Sequence, residues 1–147
     1  VADQAAPGKT PRRPWVTGIR SPRAPDGPVA QVLRIHRDCA VATSGDYEQY
    51  FLWQGRRYSH ILDPRSGRPL SGGVVSATVV LPGACMTADA LATAASVLGV
   101  DGARELLANF PAAEAWLIRA DGSMVHLPAA AQAGKSGDVT ISTSSQR

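Results

Sequence analysis

Two side chains four residues apart, Asp89 and Thr93, are the first candidates for chemistry in this chain. They fall in an Ala- and Leu-rich run, residues 88–98, whose composition predicts a helix. A spacing of four places both side chains on one helix face. A carboxylate and a hydroxyl are hard oxygen ligands that suit Mg²⁺, which completes its shell with water and phosphate oxygens. The spacing alone has an ordinary alternative, because an Asp near a helix start is common and a helical Thr often bonds back to a carbonyl.

His60 and the segment Ser44-Gly45-Asp46 are further candidates. His60 ends a predicted hairpin strand just before the turn that begins at Asp63, and a histidine there can act as a base near neutral pH. The structural alternative is a histidine that caps the turn. Ser44, Gly45 and Asp46 follow a predicted strand, where glycine admits close backbone approach and the two polar side chains offer hydrogen bonds. The segment could bind a substrate or form a plain turn.

The other histidines and the two cysteines are weaker candidates for a catalytic or metal-binding site. His36 and His126 have no convergent partners in the sequence, and we predict structural or surface roles for both. Cys39 and Cys85 make neither a Cys-x-x-Cys pair nor a zinc pattern. They define one possible disulfide, but we predict two small buried apolar side chains instead.

The elements that must position these residues are mostly strands. Strands are predicted over residues 15–20, 29–36, 39–43 and 74–81, with hairpins centred on Gln54-Gly55 and Asp121-Gly122. A helix over residues 88–98 is predicted to begin at Thr87 as N-cap and to end at Gly99, and a second helix to cover residues 102–109. The predicted fold class is therefore α+β, with mostly antiparallel strands packed against two helices.

Length and composition limit the function classes. The chain has 147 residues, of which 44% are hydrophobic and 18% charged, as expected for one globular domain. The net charge of +3 comes from scattered residues, so nucleic acid is not a predicted partner. There is no apolar run long enough for a transmembrane helix. We predict a linker or loop over residues 1–14, the folded part over 15–127 and a polar, flexible tail over 128–147.

Four stretches in order resemble the ApbE-type FAD:protein FMN transferase family. The matching stretches are residues 15–20 (WVTGIR), 43–51 (TSGDYEQYF), 59–69 (SHILDPRSGRP), and the strand 75–80 together with 87–94 (TADALATA) and 97–99 (VLG). The resemblance runs from about residue 15 to about residue 127. Each stretch alone is moderately specific, whereas four in the right order are highly specific.

The resemblance implies an enzyme, a flavin transferase with FAD as its substrate and Mg²⁺ as its metal. Such enzymes cleave the pyrophosphate of FAD, transfer FMN to a Thr or Ser hydroxyl of a target protein and release AMP. Asp89 and Thr93 match the metal-binding Asp and Thr of the family. Ala92 stands where some relatives have an Asp that also serves the metal, so this chain would offer the metal fewer oxygens.

The same resemblance assigns further residues to the flavin site. His60 matches the histidine proposed to deprotonate the acceptor hydroxyl. Ile61 and Leu62 fall where the family backbone contacts the flavin nucleotide, and residues 44–46 would line the same cleft.

The resemblance also implies partners and a location. Family members run to roughly twice this length, and their N-terminal half carries a further metal contact and much of the FAD pocket. This chain would then be a C-terminal half that associates with the missing N-terminal half or with a second copy, since an open strand edge invites pairing. The family mostly works outside the cytoplasm, so an extracytoplasmic location, periplasmic or membrane-associated, is expected.

Two other functions stay open on the sequence. The chain could be a non-catalytic flavin-binding or scaffold remnant of the family. It could also be a flavinylation target, because Asp138 precedes the hydroxyl residues Ser142, Thr143 and Ser144. Such patterns arise by chance in Ser/Thr-rich tails.

Overall fold

A computed structural model describes residues 13–24 and 26–130, together with the backbone of residues 139–142. The described residues form strands β1 to β11 and the helix α1. In chain order these are β1 Trp15–Ile19, β2 Gln31–Ile35, β3 Ala40–Gly45, β4 Tyr50–Trp53, β5 Arg56–Ser59, β6 Leu62–Asp63, β7 Arg68–Pro69, β8 Val74–Leu81, α1 Cys85–Leu107, β9 Glu114–Arg119, β10 Met124–Leu127 and β11 Val139–Ser142. The α+β class predicted from the sequence is confirmed.

A four-stranded antiparallel sheet in the order β10-β9-β8-β3 forms the centre of the fold. β8 is a nearly continuous run of apolar and small residues, and all eight of them are buried. Such a run is typical of a strand covered on both faces. β3 runs along β8 from the pair Ala40 and Leu81 to the pair Gly45 and Ser76, which brings the end of β3 beside the start of β8.

The helix α1 covers one face of this central sheet. Its alanines Ala88, Ala92 and Ala95 have no exposed surface and pack in one core cluster with Ala77 and Leu117 of the sheet. Side chains this small let the helix approach the strands closely, so polar groups on the helix and on β3 can come within hydrogen-bond distance.

A three-stranded sheet in the order β1-β2-β11 covers the other face. Leu33 and Ile35 of β2 pack there against Val80, Trp116 and Ile118 of the central sheet. The described residues therefore form three layers, with the helix on one side, the central sheet in the middle and the smaller sheet on the other side.

The helix begins earlier than predicted and is interrupted where the first predicted helix was to end. α1 begins at Cys85 with Ala84 as N-cap, and no side chain caps it, so the prediction of Thr87 as N-cap is wrong. Asp89 consequently lies beyond the first turn, which contains no acidic residue. Gly99 has non-helical angles (φ 72°, ψ −173°) and interrupts the helix, as its predicted terminating role requires. The two predicted helices are thus two segments of α1, and the helical turns before Gly99 hold Asp89 and Thr93 on one face.

Both predicted hairpins are confirmed. β4 pairs with β5 around Gln54 and Gly55, which both have positive φ (48° and 73°), as a two-residue type I′ turn requires. β9 pairs with β10 around Asp121-Gly122, where Gly122 has φ 85°. Two short strands, β6 and β7, pair across the turn that follows the first hairpin.

Most of the predicted linker over 1–14 and much of the predicted tail over 128–147 lie outside the described residues. Within the tail, Val139–Ser142 form β11, which pairs antiparallel with β2. This strand was not predicted from the sequence, because four residues between polar stretches give a weak signal. Among the described residues, no helix has the length and apolar character needed to cross a membrane.

The cysteines do not occupy the positions that we predicted. Cys85 is exposed at the start of α1, Cys39 is only half-buried, and both are free thiols. Burial raises the pKa of the Cys39 thiol, partly offset by the nearby Arg37 guanidinium. The prediction of two buried apolar side chains is therefore wrong for Cys85, because a first-turn residue with no element packed over it stays in solvent.

Candidate functional site

The end of β3 and the first half of α1 meet at a hydrogen bond between two hydroxyls. Ser44 Oγ lies 2.7 Å from Thr93 Oγ1, although the two residues are far apart in the sequence. Alternate residues of a strand point to the same face, so Ser44 faces the helix together with Ala40 and Ala42. The structure thereby brings together two of the predicted site residues, one from each of two separate motifs.

Asp89 lies one turn before Thr93 on the same face of α1. Its carboxylate is exposed and forms no hydrogen bond or ion pair with any residue that the structure describes. Ala92 points the other way, into the core, with no exposed surface. This face of the helix therefore presents a carboxylate and a hydroxyl to the surroundings of Ser44.

The donor set of this face suits a hard cation that keeps much of its water. Asp89 and Thr93 supply oxygens only, as Mg²⁺ prefers. Within residues 13–24 and 26–130, no group of three or more His, Cys, Asp and Glu residues could hold a metal ion. Asp89 and Thr93 would therefore be at most two ligands of such a cation, and its remaining oxygens would have to come from water, a substrate or another part of the protein.

Asp46 and Gly45 shape the corner that follows Ser44. The Asp46 carboxylate accepts two hydrogen bonds from the Arg23 guanidinium, at 3.2 and 3.1 Å, and its backbone N–H donates to the Val75 carbonyl at 3.0 Å. A Cβ at Gly45 would lie 2.4 Å from the Tyr47 ring, so only glycine fits without moving that ring. The corner is fixed by a two-point ion pair on one side and by a close aromatic contact on the other.

An open cavity of about 360 Å³ adjoins this corner. Its lining residues are Arg23, Asp46, Arg57, Ser59, Leu70, Ser71 and Gly72. Two arginines in one polar cavity favour an anionic ligand group. Asp46 is the predicted site residue that lines it.

His60 is held by one backbone carbonyl. The Gln49 oxygen lies 2.8 Å from His60 Nδ1 and also accepts the His60 backbone N–H at 3.2 Å. A carbonyl oxygen only accepts, so Nδ1 carries a proton, and Nε2 of the neutral ring is left as the acceptor. The imidazole is exposed. His60 therefore presents a nitrogen that can take a proton from a group outside the chain.

Ile61 and Leu62 follow His60 but differ in exposure. Ile61 is buried, its N–H donates to Ser59 Oγ at 3.0 Å, and its carbonyl accepts the Leu70 N–H at 2.9 Å. Leu62 is 53% exposed. The Ile61 backbone is thus already hydrogen-bonded within the chain, which leaves Leu62 as the more accessible of the two.

The turn after Leu62 is ordered by Asp63. Its carboxylate accepts the Arg65 backbone N–H at 2.9 Å and the Ser66 hydroxyl at 3.3 Å. The backbone hydrogen bond from Arg65 lowers the pKa of Asp63, and the Arg65 side chain contributes in the same direction. Asp63 therefore starts a turn, which fixes the chain that carries His60.

Sequence reasoning missed a buried polar pair on the face of the central sheet opposite α1. Glu114 is 3% exposed and its Oε1 lies 2.7 Å from His126 Nε2, whereas its Oε2 has no hydrogen-bond partner within the part of the chain that the structure describes. The His126 ring stacks on Trp116 at 4.7 Å. The prediction that His126 has no convergent partner is wrong. The Asp121-Gly122 hairpin signal could have found the pair, because its register sets His126 opposite Trp116 and diagonal to Glu114.

Comparison with known proteins places these residues in a family. The ApbE family model matches residues 2–117. The FAD:protein FMN transferase of Vibrio cholerae is 49% identical over 86 residues, which are 58% of this chain and 25% of that protein. The FAD:protein FMN transferase of Treponema pallidum is 43% identical over 110 residues, which are 75% of this chain and 30% of that protein.

Solved structures of ApbE proteins are also similar to this chain. The ApbE protein of Thermotoga maritima aligns with a TM-score of 0.68 and 38% identity, over 78% of this chain and 36% of that one. The flavin transferase ApbE of Vibrio cholerae aligns with a TM-score of 0.59 and 37% identity, over 79% of this chain and 36% of that one. The chain thus spans between a quarter and about a third of the length of these relatives. With its motifs, its fold and most of its length matched, the chain belongs to the ApbE family.

Proposed function

We propose that this chain supplies the C-terminal part of an FAD:protein FMN transferase. The complete enzyme would break the pyrophosphate bond of FAD, join the FMN phosphorus to a Thr or Ser oxygen of a target protein and release AMP. The hydrogen bond between Ser44 and Thr93 carries this proposal, because it joins two family motifs at one place. Relatives that are 49% and 43% identical to this chain, over 86 and 110 residues, bear the name FAD:protein FMN transferase.

His60 has the tautomer that a base needs. We assign its Nε2 to the proton of the acceptor hydroxyl, since Nδ1–H is held by the Gln49 carbonyl. The same carbonyl would keep the ring oriented when both nitrogens are protonated, and it would stabilise the positive charge that the imidazole gains. Removal of the hydroxyl proton raises the nucleophilicity of the oxygen toward the phosphorus.

Asp89 and Thr93 would hold Mg²⁺ in the complete enzyme. When bound, the ion neutralises phosphate charge and stabilises the departing AMP. Ser44, through its bond to Thr93, fixes the hydroxyl orientation on which that ligand depends. Arg23 holds Asp46 in the cavity wall, and the Arg57 side chain offers positive charge to phosphate oxygens in the same cavity.

The remaining parts of the proposal follow from the share of the relatives that this chain covers. About two-thirds of the Thermotoga maritima protein has no counterpart here. We therefore propose that activity requires the rest of the family fold. From the family resemblance, and not from this coverage, we also propose that the reaction takes place outside the cytoplasm, where the target protein would be found.

The test is AMP release by the reassembled enzyme. This chain would be co-expressed with the part of the Thermotoga maritima relative that lies outside the match, and given FAD, Mg²⁺ and a target protein. We expect AMP in solution and a mass increase of one FMN on the target. Asp89→Ala should abolish both, while Asp101→Ala, an exposed Asp beyond Gly99 on the same helix, should leave both unchanged. His60→Gln should lower the transfer rate at least about a hundredfold, the usual contribution of a general base.

Two results would overturn the proposal. FAD bound by the assembly without any AMP release would identify a non-catalytic flavin-binding remnant. FMN found on Ser142, Thr143 or Ser144 of this chain, with none on the target, would identify the chain as a flavinylation substrate.

A further inference from the structure

A second cavity, of about 500 Å³, opens on the opposite side of the central sheet from α1. It lies between the two sheets, where β1 lines one wall and β3 the other. Among the described residues, β1 and β3 are each the outermost strand of their sheet on this side. We call this feature the β1–β3 cleft. It is bordered by two rows of backbone N–H and C=O groups that no described strand pairs.

Large apolar side chains in the cleft are exposed. Trp15 is 77% exposed, Val16 57% and Val41 37%. Elsewhere in the same inter-sheet layer, Leu33 and Trp116 are almost fully buried. An apolar layer that is closed in its interior and open at one edge is typical of a surface that another segment covers.

Arg37 gives the cleft its specificity. Its Nε and Nη2 atoms are buried and have no hydrogen-bond partner among the described residues. These two nitrogens lie on the same side of the guanidinium group, so their N–H bonds can be donated in parallel to both oxygens of one carboxylate. Buried charged donors without an acceptor are costly, which makes the absence of a partner in the described chain informative. Asp38, which also lines the cleft, already takes part in an interaction.

The side chains beside Arg37 also favour a carboxylate. Arg13 and His36 line a smaller neighbouring pocket, of about 230 Å³, which shares Arg37 and Asp38 with the cleft. Of the described residues that line the cleft and this neighbouring pocket, Asp38 is the only acidic one. The cleft therefore combines apolar walls, open strand edges and a guanidinium fork that fits a carboxylate.

We propose that the β1–β3 cleft binds an extended, carboxylate-bearing segment from the part of the ApbE fold that lies outside this chain. The segment would add to a strand edge, cover Trp15 and Val16, and give Arg37 an Asp, Glu or C-terminal carboxylate. This occupant is favoured because the match covers 36% of the Thermotoga maritima protein, so nearly two-thirds of that protein is left to supply such a segment. The inference rests on the proposed reassembly of the two parts.

The experiment uses the co-expressed pair described above, with an affinity tag on the Thermotoga maritima part. Wild-type chain should co-purify in a one-to-one ratio. Arg37→Gln should weaken the association at least tenfold, while Arg37→Lys, which keeps the charge but loses the parallel pair of donors, should weaken it less. Arg104→Gln serves as the matched control, since Arg104 is exposed in the last turn of α1, on the far side of the central sheet.

Thermal melting of the free chain separates an interface role from a structural one. Arg37→Gln should melt at the wild-type temperature or above it, because it removes a buried donor pair that no described residue partners. A lower melting temperature together with lost association would overturn the proposal in favour of a structural role. Unchanged association in Arg37→Gln would overturn it directly, and so would self-association of the wild-type chain that Arg37→Gln abolishes. An assembly that forms but releases no AMP would reject the proposed function and leave the interface standing.

Discussion

The central sheet and the β4–β5 hairpin are both antiparallel and both rich in apolar residues, yet their surroundings differ. All eight residues of β8 are buried, whereas all four residues of β4 are exposed. β8 has a helix on one face and a second sheet on the other, and the hairpin has no such layer among the described residues. The described residues therefore enclose the core around β8, whereas the apolar side chains of β4 stay exposed and are available for contact with another protein segment.

The hairpin is held by local contacts instead of a core. Phe51 stacks on Tyr58 at 5.0 Å, and the Arg57 guanidinium lies 4.1 Å over the Tyr50 ring. A two-stranded hairpin is at best marginally stable alone. The end of the hairpin next to residues 49 and 60 is fixed by the hydrogen bonds that the Gln49 carbonyl accepts from His60. A movement of the hairpin would therefore also move His60, the proposed general base.

The sharpest test of this comparison is the same substitution in both regions. Leu117→Ala, in the closed core, should lower the free energy of unfolding by about 2–5 kcal/mol, because it leaves a cavity beneath α1. Leu52→Ala, at the 66% exposed hairpin position, should change it by less than about 0.5 kcal/mol. Urea denaturation followed by circular dichroism measures both. Equal costs would mean that the hairpin is packed in solution.

The buried Glu114–His126 pair gives the next largest effect. His126→Ala should cost about 3 kcal/mol of unfolding free energy, because it leaves the Glu114 carboxylate buried without its partner. The double variant Glu114→Met and His126→Leu should recover most of that loss. If His126→Ala and the double variant lower the free energy of unfolding equally, the lost stacking on Trp116, and not the unpaired Glu114 carboxylate, accounts for the effect.

The alkylation rates of the two cysteines compare a half-buried position, Cys39, with an exposed one, Cys85. Iodoacetamide should alkylate Cys85 several-fold faster than Cys39, because Cys39 is half-buried and burial raises its pKa. Peptide mass spectrometry over time gives the two rates. In urea the rates should become similar, and a difference that persists there would show that local sequence, and not the fold, sets the reactivity.

The smallest expected effect belongs to the turn that begins at Asp63. The pKa of Asp63 is lower in the folded chain, so its contribution is present above the ordinary Asp pKa of about 4 and is lost as pH falls through the lower, folded pKa. Asp63→Asn should therefore lower the melting temperature slightly at pH 7, and the difference from wild type should shrink on acidification. Asp121→Asn, in a turn with the same kind of backbone hydrogen bond, should behave alike.

Much of the local structure could be predicted from the sequence. The run of β8 and the two hairpin turns were predictable because hydrophobic pattern and turn chemistry act over a few residues. The start of α1 was not, because Ala84 caps it without a side-chain hydrogen bond and so leaves no signal in the sequence. β11 was also missed, since its pairing with β2 depends on residues at the other end of the chain.

The candidate site, too, was predictable from the sequence only in part. The placement of Asp89 and Thr93 on one helix face followed from their spacing, whereas the approach of Ser44 to Thr93 depends on how α1 packs against β3. The tautomer of His60 was beyond sequence reasoning, because it is set by a carbonyl eleven residues away. The roles proposed for these residues stay predictions until the AMP-release assay is done.

The break at Gly99 has a consequence for the dynamics of the chain. A residue with φ 72° and ψ −173° cannot continue the helical hydrogen-bond ladder, so we expect the turns before and after it to open as separate units. Amide hydrogens between Ala88 and Ser96 should then exchange with deuterium on a different timescale from those between Ala103 and Leu107. The segment that bears the proposed metal ligands can stay closed while the distal one opens, or open by itself when the distal one is closed.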